Sequence, residues 1–136
     1  MSLARPTLAR IAFTVLSASA FALAGAFVAA PASAHHSATM FDREHSRVVE
    51  GTVKEFQWTN PHAWLQVAVT DANGVAVEWS VEMGGINSLA RSGYRPGSFK
   101  PGDVVAVFLA PHVDGVPAGL YLGARLADGT VLGRMP

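Results

Sequence analysis

The chain has 136 residues, with ten Lys/Arg, ten Asp/Glu and no cysteine. That length holds one domain, and the lack of cysteine excludes a disulfide framework, a thiolate metal site, a cysteine nucleophile and a lipid-modified cysteine. The balanced charge supplies neither the basic surface that nucleic acid rewards nor a polybasic patch for anionic lipid.

The first 34 residues read as a signal peptide. Met1 to Arg10 is positive, an apolar run begins at Ile11 and passes through Phe13, Leu16, Phe21, Leu23 and Phe27, Pro31 breaks it, and Ala32-Ser33-Ala34 presents a small-x-small cleavage pattern. The run is about 20 residues, long enough to span a bilayer, so a retained anchor is the alternative. The break and the small residues favour cleavage, which makes the protein periplasmic or secreted, with no membrane attachment once cut. Arg5 and Arg10 are not adjacent, which points to the general export route. Cleavage removes both and no acid, leaving eight basic against ten acidic residues. The mature chain then starts at His35.

Residues 35–47 have no clear period and read as an N-terminal arm. From residue 48 to 136 the pattern is that of strands and turns. Val48 to Trp58 forms a long strand in which Val49, Gly51 and Val53 share one parity and Phe56 and Trp58 the other, a change that predicts a bulge or bend, with Gly51 able to permit it. Thr59-Asn60-Pro61 is a turn. His62 to Thr70 is a second strand with Ala63, Leu65, Val67 and Val69 inward. Asp71 to Gly74 is a hairpin turn built on Asn-Gly. Val75 to Glu82 is a third strand with Val75, Val77, Trp79 and Val81 on one side and Ala76, Glu78, Ser80 and Glu82 on the other.

Ile86 to Arg91 reads as a short helix, with Asn87 or Ser88 near its start and Gly93 after its end. Val104 to Ala110 is continuously apolar, as in a strand buried on both faces. Leu120 to Leu126 is a fifth strand with Leu120, Leu122, Ala124 and Leu126 inward, and Thr130 to Leu132 a short last one. Three strands, a helix and two strands are the order of an OB-type five-stranded barrel, and a bent first strand suits closure. The expected class is therefore all-β, a small OB-like barrel of five to six strands with one short helix, and an open sandwich is the alternative.

Three places in the sequence carry chemistry. Cleavage after Ala34 would give His35 a free α-amine beside its own imidazole, next to His36. With a second imidazole from His36, His45, His62 or His112, these nitrogens form a set suited to Cu(II). A disordered arm is the plain alternative, since chain ends are commonly loose. Trp58, Asn60, His62 and Trp64 cluster around the first loop, which borders the usual ligand face of an OB barrel. The plainer account has Trp58 in the core and Asn60 serving the turn. Glu78 and Glu82 lie ~13 Å apart along the third strand, too far to share one metal or proton. They read as solvated face residues, although Glu82 at the strand end is placed to approach a histidine.

No Gly-rich phosphate loop, His-Glu-x-x-His or nucleophile elbow is present. The strings HHS, GTVKEFQWTNPHAWLQV, VEWSVEMGG and KPGDVV resemble a family of small exported bacterial proteins with a domain of unknown function, over nearly the whole mature chain. The resemblance implies export and a compact β-rich domain, and it carries no activity, cofactor or residue role. The expectation is a non-enzymatic binding module that holds copper through His35, His36 and His62. The alternative is a metal-free module binding a small ligand or a protein through Trp58, Trp64 and Tyr121. A hydrolytic or redox enzyme is the weaker reading.

Overall fold

The computed structural model describes residues 38–136. His35, His36 and the expected cleavage site lie outside the described residues. The elements are β1 (Arg47–Gln57), β2 (Trp64–Thr70), β3 (Ala76–Glu82), α1 (Ile86–Arg91), β4 (Val104–Pro111), β5 (Ala118–Leu126) and β6 (Val131–Gly133). They form one sheet in the order β3-β2-β1-β4-β5-β6, and a parallel pairing of β3 with β5 closes the first five strands into a barrel. A barrel with this connectivity and its helix between β3 and β4 is the OB-type arrangement expected from the element order.

Alternation in β2 and β3 puts Leu65, Val67 and Val81 fully inside, and Val53, Val105, Val107 and Leu109 complete the core from β1 and β4. The parity change in β1 is real, but its bulge lies between Val53 and Glu55, not at Gly51. Gly51 has a different task. A Cβ there would stand 2.8 Å from Val67 Cγ1 and closer still to the Ala68 carbonyl oxygen, so β1 can lie against β2 only without a side chain.

Two readings of strand faces need correction. β4 is fully buried on one face, with Val105, Val107 and Leu109 inward, and only partly on the other, where Val104 is 59% exposed, Ala106 and Phe108 are half-buried and Ala110 is buried. On its outer face Phe108 lies under the Arg134 guanidinium, 5.5 Å from the ring centre. In β5, Leu120 and Leu122 do not face the core. A register shift between Phe108 and Leu109 of β4, opposite Gly123 and Tyr121 of β5, changes the parity and turns Tyr121 inward with Ala124 and Leu126.

Helix α1 buries Leu89 in the core cluster. Gly85 is its N-cap and no side chain caps it, so Asn87 and Ser88 are not caps; Gly93 follows it at φ +91°. Edge-on rings run from Phe56 to Phe99 (5.2 Å), Tyr121 (6.2 Å) and Tyr94 (6.0 Å from Tyr121). The Tyr94 hydroxyl donates to that of Tyr121 (3.1 Å), which donates to the Leu132 carbonyl (2.9 Å). Burial pushes both phenols above their usual pKa.

The arm is not free along its length. After a 3-10 turn at Ala38–Met40, Phe41 bridges to His112, and the chain bonds on both sides of that bridge. Asp42 N–H donates to Pro111 O (2.8 Å) and Val113 N–H to Met40 O (2.9 Å).

Candidate functional site

The loop from Trp58 to Ala63 joins β1 to β2 and is held at both ends. Thr59 Oγ1 donates to the His62 carbonyl (3.0 Å). Ala63 N–H donates to Gly84 O (3.1 Å), and Met83 N–H donates to Ala63 O (2.9 Å). These two bonds fasten the loop's end to the end of β3, and a Cβ on Gly85 would stand 2.9 Å from Pro61 O. The close fit brings His62 onto Glu82, the last residue of β3.

His62 Nδ1 contacts Glu82 Oε1 directly. The carboxylate side chain is 11% exposed and the imidazole 40%. The carboxylate charge favours a proton on Nδ1, because a lone pair there would be repelled. In the neutral ring Nε2 is then the lone-pair nitrogen. A buried carboxylate holding one nitrogen of a half-exposed imidazole is the arrangement by which proteins orient metal-binding histidines.

Glu82 is thus on the outer face, as its parity requires, but it is not solvated. The loop histidine covers it, and Trp64 is its register partner on β2. Glu78 does stand in solvent, paired with Lys54. Trp58 is half-buried, packs edge-on against Phe56 (5.7 Å) and joins the rim of the core, so the structure places it with the barrel and not with Trp64. Asn60 is exposed at the loop's turn. Tyr121 is inside the barrel and does not share a surface with Trp64.

The other described histidines differ in kind. His45 Nδ1 lies 2.7 Å from Asp42 Oδ2 in an exposed turn, and this bond holds the Asp42 carboxyl below the usual range. His112 is largely covered by Phe41, whose ring meets it edge-on at 5.9 Å. Its Nδ1 accepts from the Asp114 amide at 3.2 Å, while the Asp114 carboxylate stands at 3.7 Å, beyond hydrogen-bond range. The amide therefore decides the tautomer and places the His112 proton on Nε2. Among the described residues no three His, Cys, Asp or Glu side chains converge as a metal site. The His62–Glu82 pair was only partly legible beforehand, since the sequence showed a strand-end acid able to meet a histidine but not which histidine the loop would deliver.

No characterised protein and no solved structure matches the chain. A family model does match, over residues 23–122, a span that contains the Trp58–Ala63 loop, Glu82 and the strands around them. The chain belongs to this family, DUF6152, a family of unknown function.

Proposed function

We propose that the protein is an exported, non-enzymatic binding module that takes up Cu(II) at the corner formed by His62, Glu82 and the mature N-terminus. The observation that carries the reading is the orientation of His62 by a buried carboxylate, which leaves Nε2 as a pre-set nitrogen donor. The described residues offer one such donor at this corner, so the remaining nitrogens must come from His35, through its α-amine and ring, and from His36. Imidazole and amine nitrogens in this number suit tetragonal Cu(II) better than hard cations.

Chain reach supports the assignment. The segment Met40–Asp42 is joined to β4 at Pro111, beside Ala110, which pairs with Leu120, which in turn pairs with Glu82. Three ladder steps amount to about 14 Å. From Met40 back to His35 the chain reaches about 14 Å, two 3-10 steps of about 2 Å followed by three extended ones.

The test is Cu(II) titration of protein exported by its own signal. One equivalent should bind, and one residue added before His35 or the change His62→Ala should weaken binding at least tenfold. Unchanged affinity in both variants would rule out this site. A second reading, a metal-free site for a small molecule or protein partner, has the placement of Trp64 in its favour: it lies outside the core, directly across from Glu82. Loss of partner binding in Trp64→Ala without any metal dependence would support it.

A further inference from the structure

We propose that Met40–Asp42 is a strap that sets where the N-terminal arm leaves the barrel, with Phe41 as its anchor and His112 as the seat for that anchor, not a metal ligand. The inference rests on the copper reading only for its consequence on affinity; the strap itself stands on described contacts.

Phe41 is 8% exposed although it precedes the first strand by six positions. Main-chain bonds flank it on both sides, from Asp42 N–H to Pro111 O and from Val113 N–H to Met40 O. Its ring meets the edge of the His112 imidazole at 87°. A segment with a buried aromatic and two ladder bonds is a docked element, because ordering it must be offset by burial and pairing. His112 is suited to be the seat. Its side chain is 13% exposed, and its Nδ1 is occupied by the Asp114 amide, which puts the proton on Nε2 and leaves no lone pair for a metal.

The arrangement separates the histidines by role. His62 holds a free Nε2 under a carboxylate, and His112 holds the strap that brings the arm within reach of it. Docking the strap leaves five residue steps between Met40 and His35, which raises the effective concentration of the N-terminal nitrogens at the corner.

Amide hydrogen exchange and Cu(II) titration on Phe41→Ala and His112→Phe test this. In Phe41→Ala the Asp42 and Val113 amides should exchange at least tenfold faster while the Val105 and Val107 amides stay protected. Cu(II) affinity of the processed protein should fall at least tenfold. His112→Phe keeps an aromatic seat without nitrogens and should leave both amides protected and the affinity within twofold. Unchanged exchange at Asp42 and Val113 in Phe41→Ala would overturn the strap, and so would loss of protection throughout β4, which would make Phe41 an ordinary core residue. Lost Cu(II) binding in His112→Phe with both amides protected would overturn the assignment of His112. If the processed wild type takes up no Cu(II), the copper reading fails and exchange alone decides the strap.

Discussion

Glu82 shows how far a residue's place can be read from its neighbours in sequence. Strand parity puts it on the outer face of β3, correctly, and ordinary statistics then put it in water. Its burial is decided by the β1–β2 loop, twenty positions earlier, which fastens His62 over it. No periodic pattern encodes that contact. On the proposed copper reading, Glu82→Gln keeps the shape but loses the charge that orients His62, and Cu(II) affinity should fall on the order of 10–100-fold, the usual effect of removing such a partner. Tyr121 is the reverse case, a residue offered as a surface contact that the β5 register shift turns inward. Tyr121→Phe removes the bond to the Leu132 carbonyl and should destabilise by about 1–2 kcal/mol in denaturant titration. Because burial raises its folded pKa, the stability tied to its neutral form is present below pH ~10 and is lost as pH rises beyond it. Spectroscopic titration should therefore find this phenol ionising only together with alkaline unfolding.

At the scale of elements, the strands, hairpin and helix were legible because each carries its own period and punctuation. β2 and β3 alternate, Asn73-Gly74 turns between them, and Gly93 ends α1. What was not legible is how strands slide past one another. The β1 bulge sits at Lys54, directly after the Val53 parity mark, and the β4–β5 shift has no sequence marker. The apolar run of β4 suggested two buried faces, yet its outer side is covered only in part, by the Arg134 side chain over Phe108. Turn chemistry yields a prediction at this scale. Asp71 accepts from the Asn73 and Val75 amides (2.8 Å each) and Asp128 from the Thr130 amide (2.9 Å). These bonds hold both carboxyls below the usual carboxylate range. The stability they add is thus present above pH ~4 and is lost as pH falls through the folded values. The thermal midpoint should drop in that acid range, and an Asp71→Asn, Asp128→Asn double variant should show a shallower drop.

For the molecule as a whole, closure rests on a short seam: three residues of β3 paired in parallel with three of β5. Gly119 lies in the middle of it, where a Cβ would stand 2.7 Å from Leu109 Cδ1 and 2.8 Å from Ala110 O. Gly119→Val should force the seam apart and destabilise by about 1–3 kcal/mol, as overpacking does in a close-packed interior. With β3 Glu82 at one end of that seam, the variant should also loosen the His62 corner and weaken Cu(II) binding. The barrel was foreseeable from element order alone, since three strands, a helix and two strands leave few ways to close a sheet. The His62–Glu82 corner was foreseeable only in part, because the sequence offers His62 as a candidate and Glu82 as a strand-end acid, but only the β1–β2 loop geometry brings the two together. The most direct measurement is therefore intact mass combined with Cu(II) titration of the protein exported by its own signal. The expected result is a chain starting at His35 that binds one equivalent and loses that binding in His62→Ala; a chain starting at His35 that binds no Cu(II), or binds it equally well without His62, would overturn the copper site.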